Sequence, residues 1–249
     1  MRTTTICIAC LLLLLSCNLM KKDPAEVLNS ARKNYENKKY AEALKEYKWF
    51  FDNSTKTESA MFGVKLSYCV GEWRKLGDSY EPALNIYRAE LQDRKQRLLD
   101  GESNWDLFME FSAMCDYDGR KNEVIDVFLV IHKNNKNKEF TEKIFRPIKE
   151  DLLYSGYVSI CNDYLVDPIR DVEHIIEFHK LNQNYDLRSQ ANIDDDKFVD
   201  DMYNNEAIYL LTVLEKSNRA DDFEKVKNKL QSYKFSSEIK IFLDELNNK

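Results

Sequence analysis

The chain has 249 residues, and its 43 acidic and 37 basic side chains are mixed along its length for a formal charge of −6, which excludes the basic stripe of a nucleic-acid footprint. Only 6 Gly and 4 Pro stand against 12% aromatic residues, which argues against a sheet-rich fold built on tight turns and against a disordered chain. The length suffices for one large domain or a repeat array, and the composition predicts an all-α fold.

From the N-terminus, the short positive start Met1-Arg2-Thr3-Thr4-Thr5 precedes an apolar run from Ile6 to Leu15. That run is about half the roughly 20 residues a membrane-spanning helix needs. A positive start, a short apolar core and then small residues is the layout of an export signal. Leu14-Leu15-Ser16-Cys17 resembles the bacterial lipobox. The resemblance implies cleavage before Cys17, a diacylglycerol thioether on its sulfur and acylation of the new amine. Residues 1–16 are then the leader and 17–23 a lipidated tether. Cys7 and Cys10 lie inside the apolar run; Cys17 closes it. Asn18 occupies the place where Asp favours inner-membrane retention in enteric bacteria. The expected location is therefore the bacterial cell envelope, anchored by lipid, with the outer membrane favoured.

The next segments repeat. Steps of nine, twelve and sixteen residues from Ala31 give Tyr40, Ala43 and Tyr47. The same steps from Gly71 give Tyr80, Ala83 and Tyr87, and from Ser112 they give Lys121, Val124 and Phe128. A small residue on one helix and a second on the next let an antiparallel pair approach closely, and the large residues fill the space beside them and reach the next pair. Turns are expected at Glu36–Lys39, Leu76–Ser79 and Asp116–Gly119.

This pattern resembles the tetratricopeptide repeat. A fourth copy is expected around Gly156 and Cys161, with Lys149 departing from the small residue, and a degenerate fifth around Leu211 and Phe223. The anchors are spaced more widely than the usual ~34 residues. Trp49-Phe50, Gly63–Ser67, Trp73 and Leu76–Leu84 further resemble a family of bacterial tetratricopeptide proteins with no settled activity, over roughly residues 38–168. The implied fold is an α-solenoid of about five helix pairs: repeats over 24–168, then C-terminal helical repeats and a cap over 169–249. Within the latter, a helix is expected over Ile169–Tyr185, a polar loop over Asp186–Asp196, a long helix over Lys197–Lys216 and an amphipathic cap over Phe235–Leu246.

Sequence motifs for nucleophile elbows, phosphate loops, dinucleotide binding and paired zinc histidines are absent, so no catalytic residue, cofactor or metal is expected. His174 and His179 are five apart, not the four that share a metal face, and read as ordinary surface or groove positions. The acidic run before Lys197 suits a helix start. Trp49, Trp73 and Trp105 read as core, and Cys69, Cys115 and Cys161 as small buried hydrophobes.

A repeat array binds through the first helices of its pairs. Projecting the helix period from the anchors onto that concave face gives Arg32 and Tyr35, then Lys65, Tyr68, Glu72 and Lys75. The third copy gives Met109, Asp116 and Tyr117, and the fourth Arg146, Glu150 and Tyr154. Tyr and Arg are enriched where binding energy concentrates. The expected function is a lipid-anchored scaffold that grips a peptide or protein partner at the envelope. Alternatives are a component of outer-membrane protein assembly, or an accessory subunit of an envelope enzyme.

Overall fold

The computed structural model describes residues 22–134, 136–183 and 195–247, and these residues are all-helical, with no strand among them. They divide into two compact units, one ending at Thr141 and one beginning at Glu142.

In the first unit, α1 (Pro24–Glu36) and α2 (Tyr40–Thr57) pair, followed by α3 (Met61–Val64), a π-helical turn (Lys65–Cys69) and α4 (Val70–Ser79). Next come α5 (Glu81–Leu99), α6 (Trp105–Tyr117) and α7 (Lys121–Asn134). Helix starts are set by capping: Asp23 accepts from the Ala25 amide with Pro24 in the first turn, and Asn104 accepts from the Leu107 amide at 3.1 Å. Each helix touches its successor, and α4 also touches α6 while α5 also touches α7.

The division between units falls within α8 (Lys138–Phe145). The second unit continues through a 3-10 turn (Arg146–Ile148), α9 (Lys149–Tyr154) and α10 (Val158–Tyr164). It closes with α11 (Pro168–Gln183), α12 (Asp195–Lys216), α13 (Ala220–Tyr233) and α14 (Ser237–Asn247). Here α12 is the hub, touching α10, α11, α13 and α14. Most of the expected polar loop, residues 186–194, lies outside the described residues, while Asp195 and Asp196 already belong to α12.

The small residues sit where helices meet. Ala31, Ala43 and Ala83 are fully buried, as are Tyr87 and Phe128, with Tyr47 nearly so. The buried tyrosines reach forward to the following helices: Tyr47 donates to Glu72 at 3.2 Å and Tyr87 to the Met114 carbonyl at 2.9 Å. Lys149, where the expected fourth copy departs from a small residue, meets the next helix through its backbone, whose carbonyl lies 3.7 Å from the Cys161 sulfur.

The turns keep one register. Lys38, Gly119, Gly156 and Asn218 all have positive φ, between 55° and 86°. After each, an amide reaches back five residues to a carbonyl: Lys39 to Asn34, Arg120 to Cys115, Tyr157 to Leu152 and Arg219 to Leu214. This is one helix-ending motif used four times at the same offset from Ala31, Ser112, Lys149 and Leu211.

The second turn departs from expectation. Helix α4 runs through Leu76–Ser79, and Tyr80 alone, extended at φ −145°, joins it to α5. Gly77 is therefore buried inside a helix. A Cβ on it would stand 3.1 Å from the Leu84 Cα, so this glycine serves helix approach, not the turn.

Candidate functional site

In the first unit, α1 and α4 place several of the expected binding residues side by side. Arg32 lays its guanidinium on the Glu72 carboxylate, with Nε 3.0 Å from both oxygens and Nη2 2.8 Å from Oε1. Its pKa is raised, first by that hydrogen bond. The same guanidinium lies 5.5 Å from the Tyr68 ring centre. Lys75 lies 5.8 Å from the Tyr35 ring centre, again from α4 to α1. Tyr117, at the end of α6, covers Gly71: a Cβ on that glycine would stand 2.6 Å from the ring. Tyr68 and Tyr117 remain 59% and 45% exposed, so the strip presents aromatic area to solvent while its cations are positioned by neighbours.

Lys65 is a correction. It is buried at 5% exposure, with its ammonium on Glu110 and 4.5 Å from the Phe51 ring centre. Arg94 reaches the same carboxylate at 2.8 Å and the same ring at 4.6 Å. The reason is the π-helical turn that Lys65 begins. A wider turn takes an extra residue, so a projection counted back from Gly71 in α-helical steps drifts across it: Tyr68, three residues back, keeps its face, while Lys65, six back, does not. Met109 is half-buried on α6, and Asp116 is exposed beside Lys121 at 2.9 Å. In the second unit Arg146, Glu150 and Tyr154 are exposed, Tyr154 at 85%. Cys17 lies outside the described residues.

The second unit holds a constellation that the reading of α11 missed. His179 is 1% exposed, not at a surface position. Its Nε2 lies 2.7 Å from Asp200 and its Nδ1 2.7 Å from the Tyr233 hydroxyl. Asp200 also accepts from Lys234 at 2.6 Å; that hydrogen bond, against burial and with help from His179, holds its carboxyl below the usual range. An ionised Asp200 can only accept, so in the neutral imidazole the proton sits on Nε2, and Nδ1 accepts from Tyr233. Burial raises the Tyr233 pKa, which keeps the hydroxyl able to donate. Tyr203 packs on the same imidazole at 4.7 Å between ring centres. A groove of about 460 Å³ runs between α11 and α13, bordered by Glu173, Glu177, Lys180, Lys229 and Tyr233. The only signal in sequence was that His179 shares a helix face with Val172 and Ile176.

Cys69, Cys115 and Cys161 are free and buried. Burial raises all three thiols, Cys115 to about 12, so they stay un-ionised and unreactive at neutral pH. Among the described residues no three His, Cys, Asp or Glu side chains are grouped to hold a metal, and no helix is long and apolar enough to cross a membrane. In comparisons with protein-family models, curated proteins and solved structures, nothing matches the chain.

Proposed function

We propose that this chain is a lipid-anchored scaffold of tetratricopeptide-like helix pairs that binds a peptide or protein partner at the bacterial cell envelope. The observation that carries the binding reading is the strip on α1, the π-helical turn, α4 and α6, where Arg32, Tyr35, Tyr68, Glu72, Lys75 and Tyr117 stand together. Rigid aromatic rings beside positioned cations lose little conformational freedom on binding, which is why such groups dominate interfaces. The helix-pair reading is supported by the recurring left-handed turn residue and by small residues at the pair contacts. The anchor reading is supported by Leu14-Leu15-Ser16-Cys17, and it favours the outer membrane through Asn18. Tethering confines the search for a partner to the membrane plane and raises its effective concentration.

The test is capture from detergent-solubilised membranes with the intact protein and with a Tyr68→Ala/Lys75→Glu variant. Both side chains are exposed, so the variant keeps its helical circular dichroism. A partner retained by the intact protein and lost by the variant supports the strip. Equal capture by both proteins refutes it.

A further inference from the structure

Chain length and surface chemistry meet at one end of the first unit. From Cys17 to Lys22 the chain reaches at most about 18 Å, even fully extended. A compact body of ~100 residues has a radius of gyration of about 13 Å. A lipid on Cys17 therefore keeps the start of α1 within about 18 Å of the headgroups, close enough for the face at that end of the unit to meet them. At that end Lys22 places its ammonium 5.4 Å from the Trp49 ring centre, and Trp49 is half-buried on α2.

The face around Trp49 has the composition of a membrane interface. At 100° per residue, Lys45 and Lys56 lie within about 40° of Trp49 around α2. Both lysines are exposed, and among the described residues neither they nor Lys22 pairs with a carboxylate. Their neighbour Lys48 differs, since Asp52 and Glu90 hold it at 2.8 and 2.7 Å. Asp23 is engaged in capping α1. Among the described residues, two acidic residues near this stripe have no cation: Glu42, two turns from Trp49 and away from the tether, and Glu46, about 60° round the helix from Trp49, whose carboxylate is held by Ser30 and Asn34.

We infer that the outer face of α2 at the tether end docks on the bilayer that anchors Cys17, with Trp49 at headgroup level and Lys22, Lys45 and Lys56 against anionic phospholipid. Tryptophan prefers that depth, and unpaired lysines are drawn to anionic headgroups. The inference rests on the lipid anchor under Proposed function. It adds that the short tether orients the first unit and does not merely leash it.

The test uses the full chain, purified with its lipid and reconstituted into vesicles of phosphatidylethanolamine and phosphatidylglycerol with brominated acyl chains. Bromine quenches tryptophan only at close range; Trp73 is fully buried, and the half-buried Trp105 is present in both the intact protein and Trp49→Phe, so the difference between them reads Trp49. We expect clear quenching in the intact protein, loss of most of it in Trp49→Phe, and a reduction of at least twofold in Lys22→Glu/Lys45→Glu/Lys56→Glu, which leaves Trp49 in place. Palmitate incorporation in the same preparations, with Cys17→Ser as control, reads the anchor separately. Absence of palmitate overturns the anchor and the docking together. Palmitate with quenching that neither variant changes overturns the docking alone.

Discussion

The Tyr117 ring rests on the backbone of Gly71, so close that a Cβ there would stand 2.6 Å from Cε1. Gly77, two turns on in the same helix, faces backbone instead, with the Leu84 Cα 3.1 Å from its would-be Cβ. The two glycines should respond differently to alanine. Tyr117 is half-exposed and can swing away, so Gly71→Ala should cost under about 1 kcal/mol, its clash offset by better helix propensity. It should nevertheless weaken partner capture, because Tyr117 leaves the strip. Gly77→Ala gains the same propensity but meets backbone that must give by a few tenths of an ångström, and should cost about 1–3 kcal/mol net. Urea denaturation of the two variants checks the contrast. Equal losses would mean that Tyr117 is held as firmly as the backbone.

Ala43 and Ala83 are both fully buried at pair contacts. Leucine at either position should overpack the contact and cost about 1–3 kcal/mol. Ala43→Leu should first loosen α1 and α2, and Ala83→Leu α4 and α5, since those are the pairs that touch. Hydrogen exchange resolved by peptide reads this directly. Protection lost only beyond Glu142 would contradict the packing.

Lys65 and Tyr68, three residues apart in one π-helical turn, should separate stability from binding. Lys65 is buried on Glu110, so Lys65→Ala removes one of that carboxylate's two cations. Breaking a buried pair outright costs about 3–5 kcal/mol, and Arg94 should keep the loss near or below the lower end. Tyr68→Ala should leave the melting temperature within a few degrees yet reduce capture. Thermal denaturation and capture on the two single variants provide the comparison.

These residues also show how far the sequence could be read. The pair contacts were legible because small residues recur at fixed steps, and Ala31, Ala43 and Ala83 are buried accordingly. Arg32, Tyr35, Tyr68, Glu72, Lys75 and Tyr117 come together because their positions share a phase with those anchors. Lys65 broke the projection, since nothing local in Lys65–Cys69 announces an extra residue per turn. Gly77 misled because glycine marks both turns and close helix approaches. His179 escaped because its partners Asp200 and Tyr233 lie on other helices, 21 and 54 residues away.

The Asp118 side chain is 1% exposed and faces three guanidiniums, Arg74 at 2.6 Å, Arg88 at 3.3 Å and Arg120 at 3.8 Å. Burial opposes its charge, but the hydrogen bonds of Arg74 and Arg88 outweigh that and hold its carboxyl below the usual range. An acid lowered in the folded state stabilises above its unfolded pKa of about 3.9, and that stability is lost as pH falls through the lower folded value. Glu90 and Glu123 are lowered too, so acid sensitivity alone assigns nothing. The informative comparison is Asp118→Asn, which should cost about 1–3 kcal/mol at pH 7 and lose less stability than the wild type below about pH 4. Parallel acid limbs for the two proteins would remove Asp118 from this role.

Tyr233 tests the buried constellation of the second unit. The ionised Asp200 carboxylate puts the neutral imidazole proton on Nε2, which makes the Tyr233 hydroxyl a donor and Nδ1 an acceptor. Tyr233→Phe keeps the ring that meets Tyr203 edge-on but deletes that donor. Nδ1 is then left without its partner in a side chain that is 1% exposed. A buried acceptor stranded this way costs about 1–3 kcal/mol, more than the net worth of an ordinary hydrogen bond. Replacing both members, His179→Leu with Tyr233→Phe, removes the stranded group, so the double variant should lose less than the sum of the singles. Nitrogen-15 spectra of the imidazole in the wild type check the premise by showing which nitrogen carries the proton. A proton on Nδ1 in the neutral ring would make Tyr233 an acceptor there and the group stranded by Tyr233→Phe a donor, which would overturn the assignment of roles; losses that simply add in the double variant would overturn the coupling itself.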